Sequence, residues 1–258
     1  MLLNSVILVL REVLEAAVLV SVLVAFSLYL RLGARWLLWS LPAAALGTFL
    51  FASTLEVITD ALDGAGQEVA NAALQFAVYA LVLCIVVVAS RAGPGRWLPP
   101  LMALAVACAV TREGAEIMIY VTGFAAAEDQ RTAVFAGSAL GAGIGISLGI
   151  LMFSGLRAMA PARCYICCLA LLGLIGAGMV MQATMLLEQV DWLPSAQPLW
   201  DSSALVSEQS VTGELLYAVF GYEATPSAVQ IGLYVGSLLL MAGSWYIAGR
   251  SRTGESNG

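Results

Sequence analysis

Lysine and histidine are absent from this sequence, and charge of either sign is scarce, at 11% of residues. A soluble domain carries about a quarter charged residues. The missing charge means that most of the surface faces something other than water, which excludes an ordinary soluble globular domain. Without histidine there is no imidazole metal site and no H-E-x-x-H zinc motif. No serine-based dyad stands out either, so an enzyme is not expected. The 11 basic residues, all arginine, are outnumbered by 17 acidic ones, for a net charge of −6. Phosphate recognition needs basic patches, so nucleic acid is excluded as a partner. Met1–Leu10 contains no basic residue, and its apolar run continues to Leu30. A signal peptide has a basic start and a short apolar core, so this stretch reads as a retained first helix.

Cysteine is sparse as well. Cys84 and Cys108 lie in apolar runs and read as small core hydrophobes. Cys164, Cys167 and Cys168 form a C-x-x-C-C cluster. An odd, clustered set is a poor disulfide framework, and zinc is not expected there without a second cluster.

What is abundant is apolar sequence, at 61%. A bilayer core of ~30 Å needs ~20 apolar residues in helix. Seven stretches meet or approach that length: Leu2–Leu30, Trp36–Leu55, Val69–Ser90, Trp97–Ala125, Thr132–Met159, Tyr165–Leu187 and Ser227–Ala248. The predicted fold is therefore all-α and polytopic, a single transmembrane unit over 1–250 followed by a tail at 251–258. The connections sort by charge. Arg31, Arg35, Arg91, Arg96, Arg157, Arg163, Arg250 and Arg252 follow the odd-numbered spans, with Glu255 as their single acidic companion. The other connections hold Glu56, Asp60, Asp63, Glu68, Glu128, Asp129 and the six acidic residues from Glu188 to Glu223, with one arginine, Arg131. By the positive-inside rule the N-terminus lies outside and the C-terminus in the cytoplasm. The outer face is then acidic, either as ordinary solvated loops or as a vestibule that concentrates cations. On the second reading Asp60, Asp63, Glu68, Glu128 and Asp129 mark an entrance.

Against this apolar background, the pattern R-E-x-x-E occurs twice: Arg11, Glu12 and Glu15 in the first span, and Arg112, Glu113 and Glu116 in the fourth. Each charge at mid-membrane costs ~2.5–3.5 kcal/mol on insertion scales, so six amount to roughly 15–20 kcal/mol before pairing. Whole-protein stabilities are only ~5–15 kcal/mol. The six must therefore be paired, solvated in a cavity, or occupied by an ion. The two glutamates of each motif stand i, i+3 on one helical face, and each arginine stands i, i+4 from the second glutamate, within reach of an intrahelical pair. Counted at ~1.5 Å per residue, both motifs sit near mid-membrane. The first span runs inward and the fourth outward, as in an inverted repeat of three plus three spans (about 1–92 and 95–190), with the site between the halves. An outer connection at 191–226 and a seventh span at 227–249 complete the chain. Four carboxylates converging on one point suit a hard cation: ferric ion, calcium, magnesium, manganese or a proton. The alternative is a scaffold of buried ion pairs, which are weak stabilisers.

With these residues in hand, the sequence resembles the oxidase-dependent iron permeases of fungi and bacteria, which carry R-E-x-x-E in their first and fourth helices. Two further segments are similar to the family: G-E-L-L-Y-A-V-F-G-Y-E-A-T-P-S-A-V-Q, from Gly213 to Gln230, and D-G-A-G-Q-E-V-A-N-A, from Asp63 to Ala72. The resemblance implies a seven-helix permease of the cytoplasmic membrane that moves iron inward. It places the metal on Glu12, Glu15, Glu113 and Glu116, with Arg11 and Arg112 balancing charge. Iron is then transported substrate, with no tightly bound cofactor. An extracytoplasmic iron-oxidising or iron-binding protein is the expected partner, and a homo-oligomer is left open. Lead or manganese transport, or a membrane scaffold for a redox partner, are the alternatives. The acidic motifs of the fungal last outer loop have no clear counterpart; Asp191, Asp201, Glu208 and Glu214 lie there without an assigned role.

Three other patterns carry expectations. Gly137, Gly141, Gly145 and Gly149 recur every four residues, a spacing that lets membrane helices approach closely. Gln67, Asn71 and Gln75 form a polar stripe that either lines a pathway or bonds a neighbouring helix. Gly173, Gly176, Gly178, Met179, Met181 and Gln182 read as packing residues, and Leu215–Phe220 as a short helix forming a lid.

Overall fold

A computed structural model describes residues 1–91, 95–124, 127–194, 196–208 and 210–254, with Asp129 and the last four residues described by backbone alone. Among the described residues there are eight helices and no strand. They are α1 (Leu2–Tyr29), α2 (Leu37–Ala61), α3 (Gly66–Ser90), α4 (Leu98–Phe124), α5 (Glu128–Ala158), α6 (Pro161–Gln189), α7 (Val211–Phe220) and α8 (Ala228–Gly254). Each long helix coincides with one apolar run. Several extend past its polar edge, because the backbone ladder continues wherever the chain has no breaker: α2 takes in Glu56 and Asp60, and α5 begins at Glu128.

Five helices, α2, α3, α5, α6 and α8, are long and apolar enough to cross a membrane. The remaining long ones, α1 and α4, span 28 and 27 residues and are the two that carry the internal charges. The buried core is drawn mainly from α1, α3, α4 and α6, with Leu19, Val22, Leu23, Phe26, Ile85 and Met102 sealed from solvent. The outer helices show the reverse pattern. α2, α5 and α8 expose Trp39, Phe49, Leu140, Leu151 and Leu239, an apolar surface that water does not tolerate over such an area.

The two largest interfaces are α1 with α5 and α2 with α4. α3 packs on α6, α1 meets both α4 and α6, α3 meets α4, and α8 lies against α6 and α3. Among α1 to α6, exchanging α1 with α4, α2 with α5 and α3 with α6 returns the same set of pairings, apart from a small α4 and α5 contact that has no α1 and α2 counterpart; α7 breaks the exchange, meeting α1 and α6 but neither α4 nor α3.

The glycine row of α5 packs on α1 of the same chain. A Cβ at Gly137 would lie 2.6 Å from the Leu2 carbonyl oxygen, and one at Gly141 would lie 2.5 Å from that of Val6. Only glycine allows this backbone-to-backbone approach. The α2 and α4 interface uses glycine against threonine instead, Gly114 facing Thr48 and Gly47 facing Thr111.

Candidate functional site

α1 and α4 cross so that the two R-E-x-x-E motifs share one buried cluster. Arg112 stands at its middle. Its Nη1 donates to Glu15 Oε2 at 3.0 Å and to Glu113 Oε1 at 2.8 Å, and its Nε lies 3.4 Å from Glu116 Oε1. One guanidinium thus binds carboxylates of both helices. Its fork of donors permits several carboxylates at once, where a lysine would offer a point charge. Arg11 pairs with Glu12 at 3.1 Å and with Glu15 at 4.0 Å, and its guanidinium carbon sits 5.2 Å above the Tyr217 ring. Glu15 is therefore shared by both arginines.

The i, i+4 pairs expected from spacing exist, Arg11 with Glu15 and Arg112 with Glu116. They are longer than the contacts each arginine makes with the adjacent glutamate. Glu12, Glu15, Glu113 and Arg112 are each at most 5% exposed. The pairing leaves buried carboxylate oxygens without a hydrogen-bond donor: Glu12 Oε2, Glu15 Oε1 and Glu113 Oε2. Among the described residues no three carboxylate or thiol groups are arranged to hold a metal ion together. Arg112 takes one oxygen each of Glu15, Glu113 and Glu116, while Glu12 turns to Arg11.

Three amides surround the cluster. Asn71 Nδ2 donates to Glu116 Oε1 at 3.1 Å. Gln182 Oε1 accepts from Arg112 Nη1 at 3.3 Å and from Gln75 Nε2 at 2.6 Å. Gln182 Nε2 in turn donates to the Tyr217 carbonyl at 3.2 Å, tying the cluster to α7. Of the predicted polar stripe, Asn71 and Gln75 are buried against neighbouring helices, whereas Gln67 is exposed. Gln182 and Tyr217 escaped the sequence reading as members of the site. A single glutamine in an apolar helix was the one available signal for the first, and for Tyr217 it was membership of the segment Leu215–Phe220.

The entrance residues differ in exposure. Asp60, Asp63 and Glu128 are exposed and stand apart from the cluster, and the side chain of Asp129 lies outside the described residues. Glu68 is half-buried, with its Oε2 enclosed and unpartnered.

The short helix expected near Leu215–Phe220 is α7. Ser210 caps it by accepting from Gly213 N–H, and Gly221 ends it at φ 66°, a left-handed turn open to glycine. The preceding strap is pinned to the start of α8: Leu199 N–H donates to Pro226 O and Ser202 N–H to Ala224 O, each at 2.9 Å. Ala224 N–H donates to Glu208 at 2.9 Å. Half-burial, and then the adjoining Glu208 carboxyl, push Glu223 up to about 7.

All five cysteines are free thiols. Cys164 and Cys168 are buried, while Cys84 lies on an exposed face of α3 rather than in the core as expected, because the core takes the opposite side of that helix.

The description "Iron permease FTR1 family" fits residues 97–247, from the start of α4 into α8, and so includes the second R-E-x-x-E motif. An uncharacterized protein of Archaeoglobus fulgidus is similar, 28% identical over 265 residues that take in 93% of each chain. No solved structure matches. Since the family match covers more than half of the chain and falls on apolar membrane-length helices, this multi-pass membrane protein belongs to the iron permease FTR1 family, whose members are permeases rather than enzymes.

Proposed function

We propose that the protein imports iron, as ferric ion, across the cytoplasmic membrane, with Glu12, Glu15, Glu113 and Glu116 binding the ion in transit. The observation that carries this reading is the convergence of both R-E-x-x-E motifs on one buried cluster whose carboxylate oxygens are only partly satisfied. Buried ion pairs rarely stabilise more than apolar packing would, so a duplicated set at membrane depth points to use rather than support.

In this reading α1 to α6 and α8 are the seven spans, with the N-terminus outside. The halves about 1–92 and 95–190 form an inverted repeat, and the near-symmetric helix pairings support it. The polar side chains Asn71, Gln75 and Gln182 gather on the outer side of the cluster. Below it, Leu19, Val22, Phe26, Ile85 and Met102 close the inner half. The arrangement is that of a permease shut toward the cytoplasm. A trivalent ion attracts carboxylates more strongly than a single guanidinium does, so the arriving ion displaces Arg112 from Glu15 and Glu113. The freed guanidinium limits repulsion among the carboxylates after release. Movement of one half against the other then exposes the ion inward. α7, bonded to the cluster through Gln182 and the Tyr217 carbonyl and packed on Gly178 through Phe220, lies beside the cluster and acts as a lid that must shift for the ion to enter. The acidic outer connections supply cations, and an extracytoplasmic iron-oxidising or iron-binding protein delivers them.

The test is uptake of radioactive iron by proteoliposomes containing the purified protein, with lead and manganese as competitors. Saturable iron uptake resistant to a tenfold excess of either competitor is expected. Preferred transport of lead or manganese would move the substrate to that ion. No uptake of any of the three, in correctly inserted protein, would favour a scaffold for a redox partner.

A further inference from the structure

We propose that the amide oxygens of Asn71 and Gln75 form a neutral cation subsite that receives the ion from the outer side and passes it to Glu116. The inference rests on the permease reading and assigns a step to residues outside the R-E-x-x-E motifs.

Chemistry fixes which amide atom is which. Asn71 bonds a carboxylate oxygen of Glu116, and Gln75 bonds the side-chain oxygen of Gln182. A carboxylate and an amide oxygen only accept, so the atoms facing them are the amide nitrogens. The two oxygens therefore face elsewhere. Asn71 is 3% exposed and Gln75 1%, yet Asn71 Oδ1 and Gln75 Oε1 are both buried with no donor. Buried polar atoms are nearly always satisfied, and leaving one unmade costs about 1–3 kcal/mol. Two such oxygens one turn apart on the same face of α3 are a place for something that accepts lone pairs. Glu68 Oε2, three residues before Asn71 on that face, is enclosed and unpartnered in the same way. The result is a ladder of oxygens about 10 Å long, at ~1.5 Å rise per residue. It runs from the start of α3, past Asn71 beside Glu116, to Gln75 beside Gln182.

Hard cations take oxygen ligands, and carbonyl oxygens can replace part of an ion's hydration shell. Neutral ligands fit this position for a physical reason. Another carboxylate beside Glu116 would raise repulsion in the empty site and hold the ion too firmly to leave. Conduction needs binding strong enough to enter and weak enough to depart.

Iron uptake by proteoliposomes, measured over a range of iron concentrations, tests this with Asn71→Leu, Asn71→Asp, Gln75→Leu, Gln75→Glu and Glu116→Gln. The acidic variants keep an oxygen and lose the nitrogen donor; the leucine variants lose both. A ligand role predicts an apparent KM raised about tenfold or more in the leucine variants, with a maximal rate near the parent's. It predicts a KM at or below the parent's in the acidic ones. If a leucine variant fails to insert, Asn71→Ala or Gln75→Ala takes its place with the same expectation. Acidic variants as impaired as leucine ones would overturn the proposal, because the amide nitrogens would then be what matters, as positioning groups. Leucine variants with the parent's KM beside an inactive Glu116→Gln would overturn it alone. A fully active Glu116→Gln would remove the carboxylate reading and this inference together.

Discussion

The two R-E-x-x-E motifs match in pattern, yet the fold treats them differently. Arg112 has a side chain 5% exposed and binds glutamates of both helices; Arg11 is 32% exposed, binds only glutamates of its own helix and lies over Tyr217. Glu113 is buried, whereas the side chain of Glu116 is 23% exposed. A repeated motif thus occupies two states in one conformation. Under the proposed inverted repeat, halves that adopt different shapes and exchange them in transport would produce this asymmetry. Sequence identity between the motifs does not make their residues equivalent; surroundings decide which arginine is the keystone.

The largest effect separates the arginines. Arg112→Met leaves Glu15 and Glu113 buried without their shortest partner, and is expected to destabilise the protein by about 3–5 kcal/mol. Arg11→Met, at a partly open site, removes the partner of Glu12 but leaves Arg112 on Glu15, and should cost less, about 1–3 kcal/mol. Thermal unfolding in detergent measures both; equal effects would erase the contrast.

The paired helix interfaces give the next comparison. Gly141→Ala drives a methyl into the backbone of α1, 2.5 Å from Val6 O and 2.9 Å from Leu10 N, and should destabilise by about 1–3 kcal/mol. Gly114→Ala meets the Thr48 hydroxyl, a side chain that can rotate, and should cost less in the same measurement.

The smallest effect lies in the outer strap. Glu223 titrates near 7 when folded, above the ordinary value of ~4.3 for an unfolded chain. Between those values the folded strap binds more protons, so its stability falls as pH rises through that window. Hydrogen exchange over 198–208, corrected for intrinsic rate, should show stronger protection at pH 5.5 than at pH 7.5. Glu223→Gln should remove the difference.

Much of this was legible in the sequence. Apolar runs located the long helices to within a few residues at most ends, since hydrophobic length is what a bilayer demands. The glycine row announced close packing, and α5 delivers it on α1. The six charges set in apolar stretches declared themselves by their cost. What the sequence withheld was tertiary. No spacing rule says that Arg112 reaches across to Glu15, because that bond depends on how α1 and α4 cross. Gln182 and Tyr217 join the cluster through the placement of α6 and α7, which periodicity does not encode.

The most direct test of the central claim is iron uptake by Glu15→Gln and Glu116→Gln at matched levels of inserted protein. Glutamine preserves shape and hydrogen bonding while removing the charge that holds the ion. If the carboxylates lie on the ion's path, both variants lose uptake while remaining folded, Glu15→Gln most completely because both arginines and both motifs meet there. Uptake equal to the parent's in both would mean that the cluster is structural and that the ion crosses elsewhere.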